Sequence, residues 1–501
     1  MMSLMGAACA GLAVWIAGCG GGHGHGGAPS TSTGTPPPPP PAAPRYVVLL
    51  VADGWGYRVV DALRRYSGVA PVWSDAAWTA TSASTFDTTT RAANGGVGYD
   101  GARAWSDLGY LVSAVTDSAA SMTAMSTGEK TDNGNVAVAP GDSRRLVTLP
   151  ELAQTRGLAT GAVTTVHLSH ATPAAWLAHN VDRNNGLALA SEMLFGAPDA
   201  VGTTATNPAY GGGLGAATVA PAVVIGGGHP TFSSSQYVDA AIRSRLVAES
   251  GQAGRFTLVE RVSGQADAGA RLQAAANDPA TTRLCGLFGG PTGNFDYRRA
   301  DGSGRSAENP TLPEATRAAL TLLARDPEGF ALMVEGGAVD FAAHQNMLDL
   351  AVGEMIEFEA AVRTVVAWVD DPATPADWTN TLVLVTGDHE CGLLTAGPGQ
   401  FPDVPLGEVS ARTLALEKVV TSTGRRASWE DGDADSELDA GEVVYWSWGS
   451  GGHSNQLVPL FARGLGAGAL TTAPAVVGTD PVRGAYVDDT EVFRRLQAAL
   501  P

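Results

Sequence analysis

Five stretches of the chain place carboxylate, imidazole or hydroxyl groups just after short runs of aliphatic and β-branched residues. Tyr46–Val51 leads into Asp53-Gly54-Trp55-Gly56, and Tyr110–Val115 leads into Thr116-Asp117-Ser118-Ala119. Ala162–Val166 leads into His167 and then His170-Ala171-Thr172-Pro173. Phe330–Val334 leads into Glu335, and Thr381–Val385 into Asp388-His389-Glu390. One strand ending in Asp is ordinary turn chemistry. Five such runs predict a joint site at the carboxyl edge of a parallel sheet, where α/β proteins bind ligands.

The side chains themselves suggest what that site holds. Asp340 and His344 are four residues apart, the spacing that puts two ligands on one helix face. Asp388-His389 pairs a carboxylate with an imidazole in one turn, and His453 adds an imidazole between glycines and Ser454. Oxygen and imidazole donors without thiolate suit catalytic Zn²⁺. Asp53, Thr172 and Glu335 form an all-oxygen set that suits Mg²⁺. Ser118 follows a predicted strand and opens a helix rich in Ala and Met, whose N-terminus favours an alkoxide.

Positioning these groups takes a large framework. From Arg45 onward short β-branched runs alternate with helical stretches, which predicts an α/β fold with a large, mostly parallel sheet and helices on both faces. The chain has 501 residues, 44% of them hydrophobic, enough for one large domain or two ordinary ones. Its net charge of −19 and lack of a basic cluster argue against nucleic acid as a dedicated partner. Gly186–Pro310 is Gly/Ala-rich and reads as insertions near the mouth of the site.

The division expected from the sequence is 1–19 as a leader, 20–44 as a linker and 45–501 as the catalytic domain. Leu4–Gly18 is an apolar run too short to cross a bilayer, and it ends in Ile16-Ala17-Gly18-Cys19. That ending resembles a bacterial lipobox, although no Lys or Arg precedes the run. It implies export to the periplasm or cell surface and membrane attachment through lipidated Cys19. Gly20–Pro44 carries no charge and contains six consecutive prolines, which predicts an extended tether. Cys285 and Cys391 are read as two separate buried thiols, with pairing left open.

In order along the chain, these motifs resemble the alkaline phosphatase family. The resemblance is carried by Thr116–Ser121 continuing through Ser126-Thr127-Gly128-Glu129-Lys130-Thr131, by His170–Ala175 and by Val334–Gly337. Asp340 with His344, Thr386–Glu390 and His453–Pro459 complete it, over about residues 45 to 500. It implies hydrolysis of small phosphate monoesters through a phosphoserine on Ser118. One Zn²⁺ would be held by Asp340, His344 and His453, and a second by Asp53, Asp388 and His389. A Mg²⁺ would be held by Asp53, Thr172 and Glu335, with His170 in reach. Arg183, thirteen positions after His170, would clamp phosphate, oriented by Asp117. A homodimer is a further implication. His167, His179 and His229 are read as structural.

Two other readings compete. A phosphodiesterase or sulfatase on the same metal scaffold would need a different nucleophile segment. The stretch Asp431–Glu442 has oxygens at positions 1, 3, 5, 7, 9 and 12 (Asp431, Asp433, Asp435, Glu437, Asp439, Glu442), the register of a calcium loop. Ser436 stands where glycine makes the turn. A tethered calcium-binding surface protein would use that loop but leave the other ligands unexplained.

Overall fold

The computed structural model describes residues 45–196, 220–233, 237–396 and 416–501. The leader, the linker and Cys19 lie outside the described residues. The first strand, β1, is Arg45–Ala52, followed by β2 (Thr79–Ser84), β3 (Ala159–His167), β4 (Val223–Gly227), β5 (Thr257–Glu260) and β6 (Leu284–Leu287). Then come β7 (Gly329–Gly336), β8 (Thr381–Thr386), β9 (Glu390–Cys391), β10 (Leu394–Ala396), β11 (Glu417–Val419) and β12 (Arg426–Trp429). The last are β13 (Val444–Trp448), β14 (His453–Ser454), β15 (Val458–Gly464), β16 (Val476–Asp480) and β17 (Gly484–Asp488).

Eleven strands form one sheet in the order β16-β17-β2-β15-β8-β1-β7-β3-β4-β6-β5. The seven from β8 to β5 run parallel to one another. β15 is antiparallel to both β8 and β2. Strands buried on both faces must be apolar at every position rather than at alternate ones. In β1, Tyr46, Val48 and Leu50 enter one core while Val47, Leu49 and Val51 enter the other. The same split runs through β7, where Leu332 and Val334 face one side and Ala331 and Met333 the opposite one. Helices Tyr57–Ser67, Leu312–Leu323 and Leu348–Asp370 cover the first face, and helices Ser118–Thr127, Ala171–Leu177 and Thr490–Ala499 the second. The expected α/β sheet with helices on both faces is therefore present.

One expected strand is absent. Tyr110–Val115 does not join the sheet: Leu108–Val112 is a short helix, and Ala114 turns with φ of 49°. Asp107 caps that helix by accepting from the Tyr110 N–H at 3.1 Å. Tyr110 and Leu111 are buried against Ala104 and Leu393 in a small cluster outside the main core. A six-residue apolar run fits either period, and here the Asp cap decided the outcome.

Candidate active site

β8, β1, β7 and β3 are adjacent at the centre of the sheet, and their carboxyl ends converge. β1 delivers Asp53, β7 carries Glu335 next to its last residue and continues into the helix bearing Asp340 and His344, and β8 delivers Asp388 and His389. β3 leads to His170 and Thr172 at the start of helix Ala171–Leu177. Gly54 lets β1 come this close: its φ is +75°, and a Cβ there would lie 2.8 Å from the Asp340 Cα. Any side chain would force β1 and the Asp340 helix apart.

Asp340, His344 and His453 form the first group. His344 Nε2 lies 3.2 Å from Asp340 Oδ2 and 3.2 Å from His453 Nε2. Both rings are fixed from behind. His344 Nδ1 bonds the Gly451 carbonyl at 2.8 Å, and His453 Nδ1 bonds the Thr116 carbonyl at 2.8 Å. Each ring donates its Nδ1–H to a carbonyl, which turns both Nε2 atoms toward one point, where a cation replacing their protons would take the lone pairs of a metal-binding histidine. Burial pushes the Asp340 carboxyl up, but hydrogen bonds from His344 and His453 outweigh it and hold it well below the usual range. The hydrogen bond to Asp340 raises His344 to about 9.

The second group joins Asp53 and His389 to Asp340, with donor atoms within 4.8 Å of one another, and Asp388 lies beside it with Oδ2 3.2 Å from His389 Nε2, all four buried. Asp388 Oδ1 accepts from the Gly54 and His389 N–H groups at 3.0 and 2.9 Å. His389 Nε2 lies 3.1 Å from Ser118 Oγ and 3.5 Å from Asp53 Oδ1. Its ring stacks on His453 at 3.5 Å between centroids, so the first two groups abut. The third group joins Asp53 to Glu335 and His170, with donor atoms within 4.8 Å of one another. Thr172 is fully buried beside them, and Thr164 donates to the Glu335 carboxylate.

These groups are crowded with like charge. Burial, reinforced by Asp388, Asp340 and Glu335, holds the Asp53 carboxyl far above its ordinary value. Burial also raises Glu335 to about 8 and Asp388 to about 6, while it holds His389 and His170 well below theirs. Among the described residues, both oxygens of Asp53, Glu335 Oε1, Asp340 Oδ1 and Asp388 Oδ2 are buried with no aligned hydrogen-bond donor. Buried carboxylates left this way are costly unless cations complete them. The residues fit divalent metal binding.

Ser118 is buried at the first turn of helix Ser118–Thr127, with Asp117 as N-cap. Asp117 accepts from the Ala120 N–H at 2.9 Å, the Gly134 N–H at 3.1 Å and Arg183 Nη1 at 2.9 Å. One carboxylate thus fixes the serine helix and the guanidinium together. Arg183 Nη2 also lies 3.4 Å from His170 Nε2, so its fork faces the carboxylate cluster. The structure brings Ser118, Arg183 and the expected carboxylates and imidazoles together at this edge of the sheet.

The remaining sequence expectations are distributed elsewhere. His179 bonds the Leu146 carbonyl and Glu192, and His229 bonds Glu260, both in buried positions. In the acidic loop two triads form, Asp431 with Asp433 and Glu442, and Asp433 with Asp435 and Asp439. Glu437 belongs to neither and accepts from Thr421, while Lys418 pairs with Asp431. Cys285 and Cys391 are both free and buried. Sequence reasoning passed over Thr116 and Gly451, whose carbonyls orient two imidazoles, and Cys391, which lies in the first metal group. Backbone carbonyls leave no residue-type signal, whereas Cys391 follows His389 by only two positions.

Comparison with known proteins places the chain in one family. The alkaline phosphatase family profile matches residues 44–500. The chain is 33% identical over 374 residues to streptomycin-6-phosphate phosphatase of Streptomyces griseus, covering 70% of this chain and 74% of that protein. It is 33% identical over 297 residues to alkaline phosphatase of Escherichia coli (strain K12), covering 55% of this chain and 58% of that one. A cold-active alkaline phosphatase from a psychrophilic Shewanella sp. shares its fold with a TM-score of 0.59 at 23% identity, covering 91% of this chain and 100% of that one. A buried serine facing clustered carboxylates and imidazoles, within a match that spans the whole described sheet, makes this chain an enzyme of the alkaline phosphatase family, the metal-dependent phosphoric monoester hydrolases.

Proposed function

We propose that the protein hydrolyses small phosphate monoesters through a phosphoserine on Ser118, with two Zn²⁺ and one Mg²⁺ as cofactors. The observation that carries this reading is Ser118 Oγ, buried at a helix N-terminus and 3.1 Å from His389 Nε2 at the edge of the carboxylate cluster. Asp340, His344 and His453 would hold one zinc, and Asp53, Asp388 and His389 the other. Asp53, Thr172 and Glu335 would hold magnesium, with His170 adjoining. Such cations, when bound, supply Lewis acidity to the attacking and leaving oxygens of an in-line displacement.

The chain's own groups do the rest. Ser118 presents Oγ from the positive end of its helix, which favours negative charge on that oxygen. Arg183 offers a planar fork to two non-bridging phosphate oxygens. Asp117 holds that fork at the depth of Ser118, so binding and attack share one reference point. The phosphoryl group passes to Ser118, the alcohol leaves, and water releases phosphate from the serine. The name of the Streptomyces griseus relative supports a monoester substrate, and an aminoglycoside phosphate is a natural compound to assay.

Ser118→Ala tests the covalent route. Turnover of a nitrophenyl monoester should fall by several orders of magnitude while phosphate still binds, on the order of losses for removing a nucleophile. Acid quenching of the native enzyme during turnover should trap phosphate on Ser118. Near-normal hydrolysis by the variant would refute the reading. We also infer that the leader exports the chain and that Cys19 is lipidated, supported by Ile16-Ala17-Gly18-Cys19. Mass spectrometry of the mature N-terminus would find an acylated Cys19, or an intact or unmodified terminus if this is wrong.

A further inference from the structure

The first cation group contains a side chain that the reading above does not use. Cys391 lies on β9, and Cys391 is directly opposite His453 on β14 in a two-stranded antiparallel ribbon. Residues directly opposed in such a pair point to the same face. The thiol and the imidazole therefore look the same way, toward the helix that bears Asp340 and His344. Donor atoms of Asp340, His344, Cys391 and His453 all lie within 4.8 Å of one another. Cys391 is fully buried, and Asp340 is 6% exposed, with His453 Nε2 3.5 Å from its Oδ1 and His344 Nε2 3.2 Å from its Oδ2. Cys391 forms no disulfide.

We propose that Cys391 is a fourth protein donor of the cation centre formed by Asp340, His344 and His453. This rests on the metal-dependent reading above. Zinc–sulfur and zinc–nitrogen bonds near 2 Å put donors of one ion roughly 3–4 Å apart, so closure around the cation needs only about 1 Å of contraction. On binding, the thiol proton leaves to solvent and the thiolate sulfur takes its place on the ion. An Asp/His/His/Cys set is softer than oxygen and imidazole alone. It favours thiophilic cations such as zinc, cobalt and cadmium over magnesium, and any substrate oxygen must then enter as a fifth ligand. The neighbouring Asp53 groups carry no sulfur, so the centres would sort their metals by softness.

The test is spectroscopic. The full chain is stripped by chelation and reloaded with cobalt, and its visible ligand-field bands and near-ultraviolet absorption are recorded. The expected result is a sulfur-to-cobalt charge-transfer band in the native protein and in Cys285→Ser, absent from both Cys391→Ser and Cys391→Ala. Zinc affinity at the tightest site should fall at least about tenfold in the Cys391 variants, with circular dichroism unchanged. Ligand-field bands without a charge-transfer band, or a band that survives Cys391→Ser, would show an inert thiol beneath the site and overturn the proposal. Failure to bind cobalt at all would instead overturn the metal-dependent reading on which it stands.

Discussion

At the scale of single residues, Asp117 shows how much one carboxylate can organise. It caps the serine helix, accepts from Gly134 and holds Arg183. Asp117→Asn keeps an oxygen for the cap but presents an amide to the guanidinium. A charged hydrogen bond is worth about 1.5–3 kcal/mol, so KM for a monoester should rise roughly tenfold or more. Steady-state kinetics would check this, together with an unchanged circular dichroism spectrum. An unaltered KM would mean that Arg183 does not depend on its anchor. The clustered carboxylates and imidazoles were legible in sequence because such groups at strand ends are costly to bury without purpose. Cys391 was not, because a cysteine reads as a small apolar residue until its register opposite His453 is known.

At the scale of elements, the helix Leu348–Asp370 carries a charge conflict away from the cleft. Glu354 is buried in it, beside Glu357, and accepts from the Arg298 N–H at 2.7 Å. Burial, with Glu357 repelling and Arg298 only partly offsetting, raises its carboxyl from 4.5 to about 8. Between those values the folded chain binds the proton that the unfolded chain has lost. Stability therefore falls as pH rises across that window, by up to about 1.4 kcal/mol per pH unit. Glu354→Gln keeps an acceptor for Arg298 and should flatten this decline, seen as a urea midpoint that changes less between pH 5 and 8. A variant with the same pH slope as the native protein would show the burial to be relieved some other way. Elements were readable where the apolar run was long and doubly buried, as in β1, β7 and β8. The run at Tyr110–Val115 is too short for its period to tell helix from strand, and the Asp107 cap with burial in a satellite cluster settles it as a helix.

At the scale of the molecule, β1, β7 and β8 bring carboxylates with unpartnered oxygens to one edge of the sheet, beside the His170 and Thr172 that follow β3. Divalent cations bound there stabilise only the folded chain, by about 4 kcal/mol for each site at a thousand times its dissociation constant. Chelation should lower the melting temperature and abolish hydrolysis together, with Zn²⁺ plus Mg²⁺ restoring both. Calorimetry with a matched activity assay measures this. Stripped protein with native melting and native activity would contradict a metal-dependent centre. Among the described residues no helix is long and apolar enough to cross a membrane.

His453 stands just before β15, the strand that lies antiparallel between β8 and β2. A nascent polypeptide that has made β1 through β8 owns most of the candidate ligands, yet the slot beside β8 is still vacant. Only when the later segment threads into that slot does the final imidazole arrive. Under the metal reading proposed above, ion capture would be coupled to insertion of β15, and a product interrupted before His453 would lack one of the first group's imidazoles.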